Sequence, residues 1–117
     1  MTNEQYTELA LRTAPHVTDI HIEPRNEYLL LGVIGLAGEA GELLELVKKH
    51  IFHGHPLDPQ KVLKELGDVE WYANLLRDYF GFTLEQVHEA NIAKLAARYP
   101  NGFFSSERSQ NRAAGDE

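Results

Sequence analysis

Two pairs of acidic residues, Glu39-x-x-Glu42 and Glu65-x-x-Asp68, stand in otherwise apolar sequence of helical character. Residues at i and i+3 share one face of an α-helix, so each pair directs two carboxylates to one side of its helix. Bringing four like charges together inside a helical protein is costly unless a cation joins them. Because all four side chains are carboxylates, the ion expected is a hard divalent one, Mg²⁺ with Mn²⁺ as an alternative, rather than zinc.

A second polar set consists of Asn91, Lys94 and Arg98, which lie at i, i+3 and i+7 on one face of a later helix. Cationic side chains beside a metal site suit a polyphosphate, because they donate charge-assisted hydrogen bonds to oxygens that the ion does not hold. Lys61, one turn before Glu65, is a further candidate for this role. The alternative is that the set forms the solvated side of an amphipathic helix.

Apolar periodicity, capping residues and helix breakers predict the elements that carry these side chains. The predicted helices span about residues 3–14, 25–53, 59–80 and 84–99. Asp58 is the expected N-cap of the third helix, and Thr83 with Gln86 forms a capping box for the fourth. Residues 1–104 therefore form one all-α domain of the four-helix-bundle type. Residues 105–117 are polar and small, which predicts a mobile C-terminal tail.

The composition excludes several classes of protein. The chain has 117 residues, a net charge of −7 and no cysteine. An acidic chain lacks the basic surface that nucleic acids and anionic membranes attract, and without cysteine there are no disulfides. The N-terminus has no signal-peptide pattern, and no apolar run is long enough to span a bilayer. We therefore expect a cytoplasmic protein that binds neither nucleic acid nor membrane.

Glycine recurs beside the acidic pairs, at Gly35, Gly38, Gly41 and Gly67. Each glycine inside a helix costs roughly 1 kcal/mol relative to alanine, so the group needs a compensating reason. Close helix–helix packing is that reason, and it would bring the carboxylates of two helices within reach of one ion.

The first half of the long helix, from Leu29 to Ala37, is apolar on almost every side. A helix that is apolar all round must be covered all round, and three shorter helices do not suffice for this. We therefore expect a homo-oligomer, a two-fold dimer or a dimer of dimers, with its substrate sites near the subunit boundaries.

Three segments together resemble the MazG-like nucleoside triphosphate pyrophosphohydrolases of the all-α superfamily, whose signature is ExxE, a spacer and ExxD. The segments are Gly35-Leu-Ala-Gly-Glu-Ala-Gly-Glu-Leu-Leu-Glu45, Lys64-Glu-Leu-Gly-Asp-Val-Glu-Trp-Tyr72 and Asn91-Ile-Ala-Lys-Leu-Ala-Ala-Arg-Tyr-Pro100. The resemblance extends from Glu4 to about Phe104. It implies Mg²⁺-dependent hydrolysis of an NTP or dNTP to the monophosphate and pyrophosphate, by an all-helical dimer or tetramer.

The resemblance also implies roles for individual residues. It makes the four acidic residues the metal ligands, and one of them the general base, for which Glu42 is the candidate. Lys94 and Arg98 match the basic pair that contacts phosphate, and Lys61 is a further candidate for the same role. Tyr72 resembles an aromatic residue that borders the base, although an ordinary core tyrosine fits equally well. Asn91 could hold phosphate, sugar or base.

Several alternatives stay open. Within the superfamily, dUTPase-like and phosphoribosyl-ATP pyrophosphatase activities use the same signature. A ferritin-like di-iron site needs Glu-x-x-His on two helices, and only Glu85-x-x-His88 fits, so that class is disfavoured. A dimerising helical adaptor without enzymatic activity would carry the acidic pairs as surface decoration. Glu45, a further step along the long helix, is either a peripheral carboxylate of the site or plain surface.

Overall fold

A computed structural model describes residues 1–112, which form five α-helices and no strand. The all-α prediction is therefore confirmed for this part of the chain. None of these helices has the combination of length and apolar character that a bilayer span requires. The helices are α1 (Asn3–Leu11), α2 (Asn26–His53), α3 (Pro59–Phe80), α4 (Leu84–Arg98) and α5 (Ser106–Gln110), with a 3-10 turn at Val17–Asp19.

Local chemistry sets the ends of these helices close to the predicted positions. Asp58 accepts a hydrogen bond from a backbone N–H in the first turn of α3, and Thr2 and Thr83 make capping boxes at α1 and α4. Gly54 and Gly81 end α2 and α3 in the left-handed conformation, with φ of 71° and 73°. Glycine adopts this conformation without the steric cost that a Cβ brings, so both helices end where the sequence predicts.

Helices α2 and α3 run antiparallel. Among the described residues, theirs is the most extensive contact between two helices. Two glycines of α2 let the helices approach closely. A Cβ at Gly32 would lie 2.6 Å from Leu76 Cδ2, and one at Gly35 would lie 2.1 Å from Tyr72 Cε1. Real Cβ atoms do not approach other heavy atoms so closely, so side chains of α3 occupy the space that a larger residue on α2 would need.

A small polar network joins the start of α2 to the end of α3. Tyr79 donates a hydrogen bond of 3.3 Å from its hydroxyl to Asn26 Oδ1, and the amide of Asn26 donates one of 2.9 Å to the carbonyl of His21. The guanidinium of Arg25 lies 5.6 Å from the centre of the Tyr79 ring, within cation–π range. These contacts connect the loop before α2 to the C-terminal end of α3.

Within residues 1–112 the single chain has no apolar interior. Among the described residues no hydrophobic side chain is buried, and only Gly32 is. The chain exposes 9816 Å² of surface, whereas a compact monomer of its mass exposes roughly 6,500 Å². Its radius of gyration is 20.0 Å, against about 13 Å for a compact domain of this length. The exposed apolar side chains on α2 include Leu30, Leu31, Val33 and Ile34.

The predicted tail contains a helix that the sequence analysis did not anticipate. Ser105 caps α5 by accepting a hydrogen bond of 3.3 Å from the N–H of Arg108. The Nε of Arg108 also donates a hydrogen bond of 3.2 Å to the carbonyl of Arg98, at the end of α4. A single helical turn gives almost no periodicity, so the pattern of apolar residues did not reveal it. Residues 113–117 lie outside the described residues, and the mobility of the tail stays a prediction.

Candidate metal centre

Three carboxylates from two helices converge between α2 and α3. Glu39 of α2 and Glu65 and Asp68 of α3 each offer an oxygen, and these oxygens lie within 4.8 Å of one another. Glu39 and Glu65 are half-buried, and Asp68 is exposed. Within residues 1–112 this is the one group of three or more side chains of metal-binding type that comes so close together.

The convergence follows from helical spacing and from the register of the two helices. Glu65 and Asp68 share a face of α3 because they are three residues apart. Gly35 faces Tyr72 and Gly32 faces Leu76. One helical turn along α2 therefore matches one helical turn in the opposite direction along α3. The same register brings Glu39 beside Asp68, one turn further along the pair.

The environment of Glu39 is unfavourable to a negative charge. Partial removal from water raises its pKa above the ordinary value, and the nearby charges of Asp68 and Glu65 raise it further. A hydrogen-bonding contact with Glu65 and the charge of Glu42 act in the same direction. Clustered carboxylates disfavour full ionisation in this way when no cation is present.

Glu42 and Glu45 are the two other acidic residues of this part of α2. Glu42 is exposed and is not one of the three carboxylates that converge, although its charge is felt at Glu39. Its role as a ligand or as the general base stays a prediction. Glu45 forms salt bridges of 3.1 Å with Lys48 and 3.8 Å with Lys49, which hold the pKa of its carboxyl low. These pairs favour the surface interpretation of Glu45.

Two candidate substrate residues lie on α3 near the carboxylates. The ring of Tyr72 packs on Gly35 and meets Trp71 edge to face, with ring centres 5.0 Å apart. Tyr72 therefore has a packing role, and its contact with a base stays a prediction. Lys61 is exposed in the first turn of α3. Its position one turn before Glu65 leaves the phosphate role open.

The remaining candidates, Asn91, Lys94 and Arg98, lie on α4. Asn91 and Lys94 are exposed, and Arg98 is half-buried where α5 returns to the end of α4. Within residues 1–112, α4 makes no extensive contact with α2 or α3. The fold of one chain therefore does not bring this basic face against the carboxylates, which the sequence analysis did not anticipate.

An apolar groove of about 380 Å³ lies along the end of α4 and was also missed. Its aromatic residues include Tyr99 and Phe104, whose ring centres are 5.7 Å apart. The sequence feature that could have indicated this groove is the Phe103-Phe104 pair directly before the polar tail. In the single chain Phe103 is 82% exposed and Phe104 is 74% exposed. The groove is lined by Ile92, Leu95, Ala96, Tyr99, Gly102, Phe103 and Phe104.

The donor set fits a hard divalent cation. Mg²⁺ and Mn²⁺ bind carboxylate oxygens and keep several waters, so three convergent carboxylates are sufficient protein ligands. An ion at this position would also remove the repulsion that raises the pKa of Glu39.

Comparisons with known proteins agree with this geometry. A family model described as the MazG nucleotide pyrophosphohydrolase domain matches residues 31–103, more than half of the chain, and this region contains all three converging carboxylates. The Gene 37 protein of Mycobacterium phage L5 is 36% identical over 75 residues, which are 61% of this chain and 66% of that protein. The match therefore spans just under two thirds of the phage protein. No solved structure matches the chain at a significant level.

Proposed function

We propose, because this chain belongs to the MazG nucleotide pyrophosphohydrolase family, that it hydrolyses a nucleoside or deoxynucleoside triphosphate to the monophosphate and pyrophosphate with the help of Mg²⁺. The observation that carries this proposal is the convergence of Glu39, Glu65 and Asp68 from two helices. Mn²⁺ is the expected substitute ion, and the carboxylates would hold either one between α2 and α3.

When bound, the ion supplies polarisation of the phosphoryl oxygens and lowers the pKa of the attacking water. The contribution of the chain is to hold the carboxylates ready on two packed helices. Attack at the α-phosphorus breaks the bond to the bridging oxygen, and pyrophosphate leaves with that oxygen.

We assign the basic face of α4 to the triphosphate. Lys94 and Arg98 would donate charge-assisted hydrogen bonds to oxygens that the ion does not hold, and Asn91 would bind phosphate, sugar or base. Because α4 lies apart from the helical pair in one chain, these contacts require that a second copy, or a movement of α4, close the site.

A homo-oligomer, as a dimer or a dimer of dimers, is the assembly that we propose. The surface in excess of a compact monomer is roughly 3,300 Å² per chain, or about 6,600 Å² for a pair of chains, which is the scale of a large obligate interface. Light scattering at micromolar concentration should report two or four copies. A monomer at that concentration, with cooperative unfolding, would contradict the proposal.

The activity is tested by a screen of all NTPs and dNTPs in which the release of pyrophosphate is measured separately from the release of phosphate. With Mg²⁺ present we expect pyrophosphate, and Asp68→Ala should abolish its release. Glu70→Ala is the matched control, because Glu70 is an exposed carboxylate of the same helix outside the converging group.

Two results would count against the proposed function. Turnover by Asp68→Ala equal to that of the unaltered chain would remove the metal assignment. Absence of any nucleotide hydrolysis, together with a melting temperature that does not respond to Mg²⁺, would favour the dimerising adaptor. Release of pyrophosphate from dUTP alone would instead place the activity with the dUTPase-like members of the superfamily.

A further inference from the structure

One close contact of the helical pair lies one turn away from the carboxylates, where the ring of Tyr72 packs against the backbone of α2 at Gly35. A Cβ at Gly35 would lie 2.1 Å from Cε1, 2.3 Å from Cδ1 and 2.4 Å from Cζ of that ring. Ordinary van der Waals contact begins at 3.4 Å. A methyl group at residue 35 would therefore have to displace the ring, or α2 itself, by more than about 1 Å.

The Tyr72 ring has little freedom to move aside. It is a rigid plane with two torsions, and Trp71 stands against it edge to face at 5.0 Å between ring centres. The corresponding contact of Gly32 is with the flexible end of Leu76, at 2.6 and 2.8 Å, and such an end adjusts at lower cost. A larger residue at position 35 is therefore expected to push the two helices apart rather than to reorient one side chain.

The distance between the helices matters most for the residues next to this contact. Glu39 is one turn from Gly35 on α2, and Asp68 is one turn from Tyr72 on α3. Their oxygens lie within 4.8 Å of each other. Because Mg²⁺ requires ligand distances close to 2.0–2.1 Å, a separation of roughly 1 Å would have to be recovered by strained carboxylate rotamers.

We propose that the contact between Gly35 and Tyr72 sets the spacing of α2 and α3 for metal binding, which makes both of them positioning residues of the carboxylate centre. The other glycines near the acidic pairs have no such role within one chain. A Cβ at Gly38, Gly41 or Gly67 would meet nothing within 4 Å. The inference rests on the proposed metal site and assigns it a determinant that does not touch the ion.

The test measures the binding of Mn²⁺ to the metal-free protein by calorimetry, with no nucleotide present. Gly35→Ala should raise the dissociation constant by roughly 10- to 100-fold, the range seen when a group that orients metal ligands is lost. Gly38→Ala is the matched control, because it adds the same methyl to the same helix where space is open, and it should bind as the unaltered chain does.

A double variant separates a spacing effect from general damage to the fold. Tyr72→Leu removes the ring that the new methyl would strike, so Gly35→Ala with Tyr72→Leu should recover part of the lost affinity. If Gly35→Ala alone does not fold, the double variant is used to test the spacing role. Folding with measurable Mn²⁺ binding supports the proposal, and failure to fold or to bind overturns it.

Two further outcomes are decisive. If the chain without substitutions binds Mn²⁺ and Gly35→Ala binds it with the same affinity, the spacing role is overturned, whereas the metal site is retained. No binding of Mn²⁺ by the unaltered chain would reject the metal site itself, and with it the proposed function.

Discussion

The carboxylates of Glu39 and Asp68, which are 29 positions apart and lie on different helices, hold oxygens within 4.8 Å of one another. Partial desolvation is the main cause that raises the pKa of Glu39, and repulsion by the carboxylate of Asp68 raises it further. Each acidic motif alone would form an exposed face of its own helix. The proximity of Glu39 and Asp68 brings the two motifs together.

The raised pKa of Glu39 predicts how the stability of the metal-free protein depends on pH. A carboxyl whose pKa is raised on folding contributes stability below its ordinary value of 4.5. That contribution is lost as the pH rises through the raised value. Denaturant unfolding of the metal-free protein should therefore show a loss above pH 4.5 that is absent in Glu39→Gln.

Glu45 provides the control of opposite sign for that measurement. Its hydrogen bond with Lys48 lowers its pKa, so its contribution is present above 4.5 and is lost as the pH falls through the lowered value. Glu45→Gln should weaken the protein at neutral pH, whereas Glu39→Gln should strengthen it there. Equal pH profiles for the two variants would contradict the electrostatic account.

Substitution of Glu42 tests whether a fourth carboxylate joins the centre when the ion binds. The antiparallel register given by Gly32 with Leu76 and Gly35 with Tyr72 also pairs the position of Glu42 with that of Glu65, so Glu42 is the candidate fourth ligand. We expect Glu42→Gln to weaken Mn²⁺ binding in a titration without nucleotide. Glu45→Gln, on the same helix and paired with lysine, should bind Mn²⁺ normally. Normal binding by Glu42→Gln would restrict the centre to three protein ligands.

Loss of a cation from α4 should affect catalysis in a different way. Lys94→Ala or Arg98→Ala removes a contact to phosphate, which should cost roughly 2–4 kcal/mol in kcat/KM if that contact tightens in the transition state. Higher Mg²⁺ should not restore this loss, whereas it should partly restore Glu42→Gln. Arg112→Ala is a charge-matched control in the polar C-terminal segment. Full recovery of Lys94→Ala at high Mg²⁺ would remove Lys94 from the substrate site.

The two kinds of glycine on α2 should respond oppositely to alanine. Gly54 has φ of 71°, where a Cβ is strained, so Gly54→Ala should lower the free energy of unfolding by about 1–2 kcal/mol. Gly41 is inside the helix with open space around it, so Gly41→Ala should raise that free energy by roughly 0.4–1 kcal/mol. Denaturant unfolding at one fixed protein concentration measures both. Destabilisation by Gly41→Ala would indicate that a second copy packs on it.

The sequence predicted the four longer helices and, among its four acidic candidates, the three carboxylates that converge, because both depend on local spacing. The i and i+3 positions of Glu65 and Asp68, and the cap at Asp58, are properties of a few consecutive residues. The sequence could not predict which glycines make contact, because that depends on the register of α2 against α3. Of the glycines within residues 1–112, only Gly32 and Gly35 would bring a Cβ against a side chain. It also could not place α4, which makes no extensive contact with α2 or α3 within residues 1–112.

The lack of a buried apolar side chain in the described part of the chain has a consequence for how the proposed oligomer would form. A chain that gains so little by folding alone should fold in a second-order reaction, and its melting temperature should rise with protein concentration. A dilute chain would then hold no nucleotide-cleaving centre at all. By mass action, the rate of synthesis in the cell would set the active fraction, and total activity would rise more steeply than the number of chains.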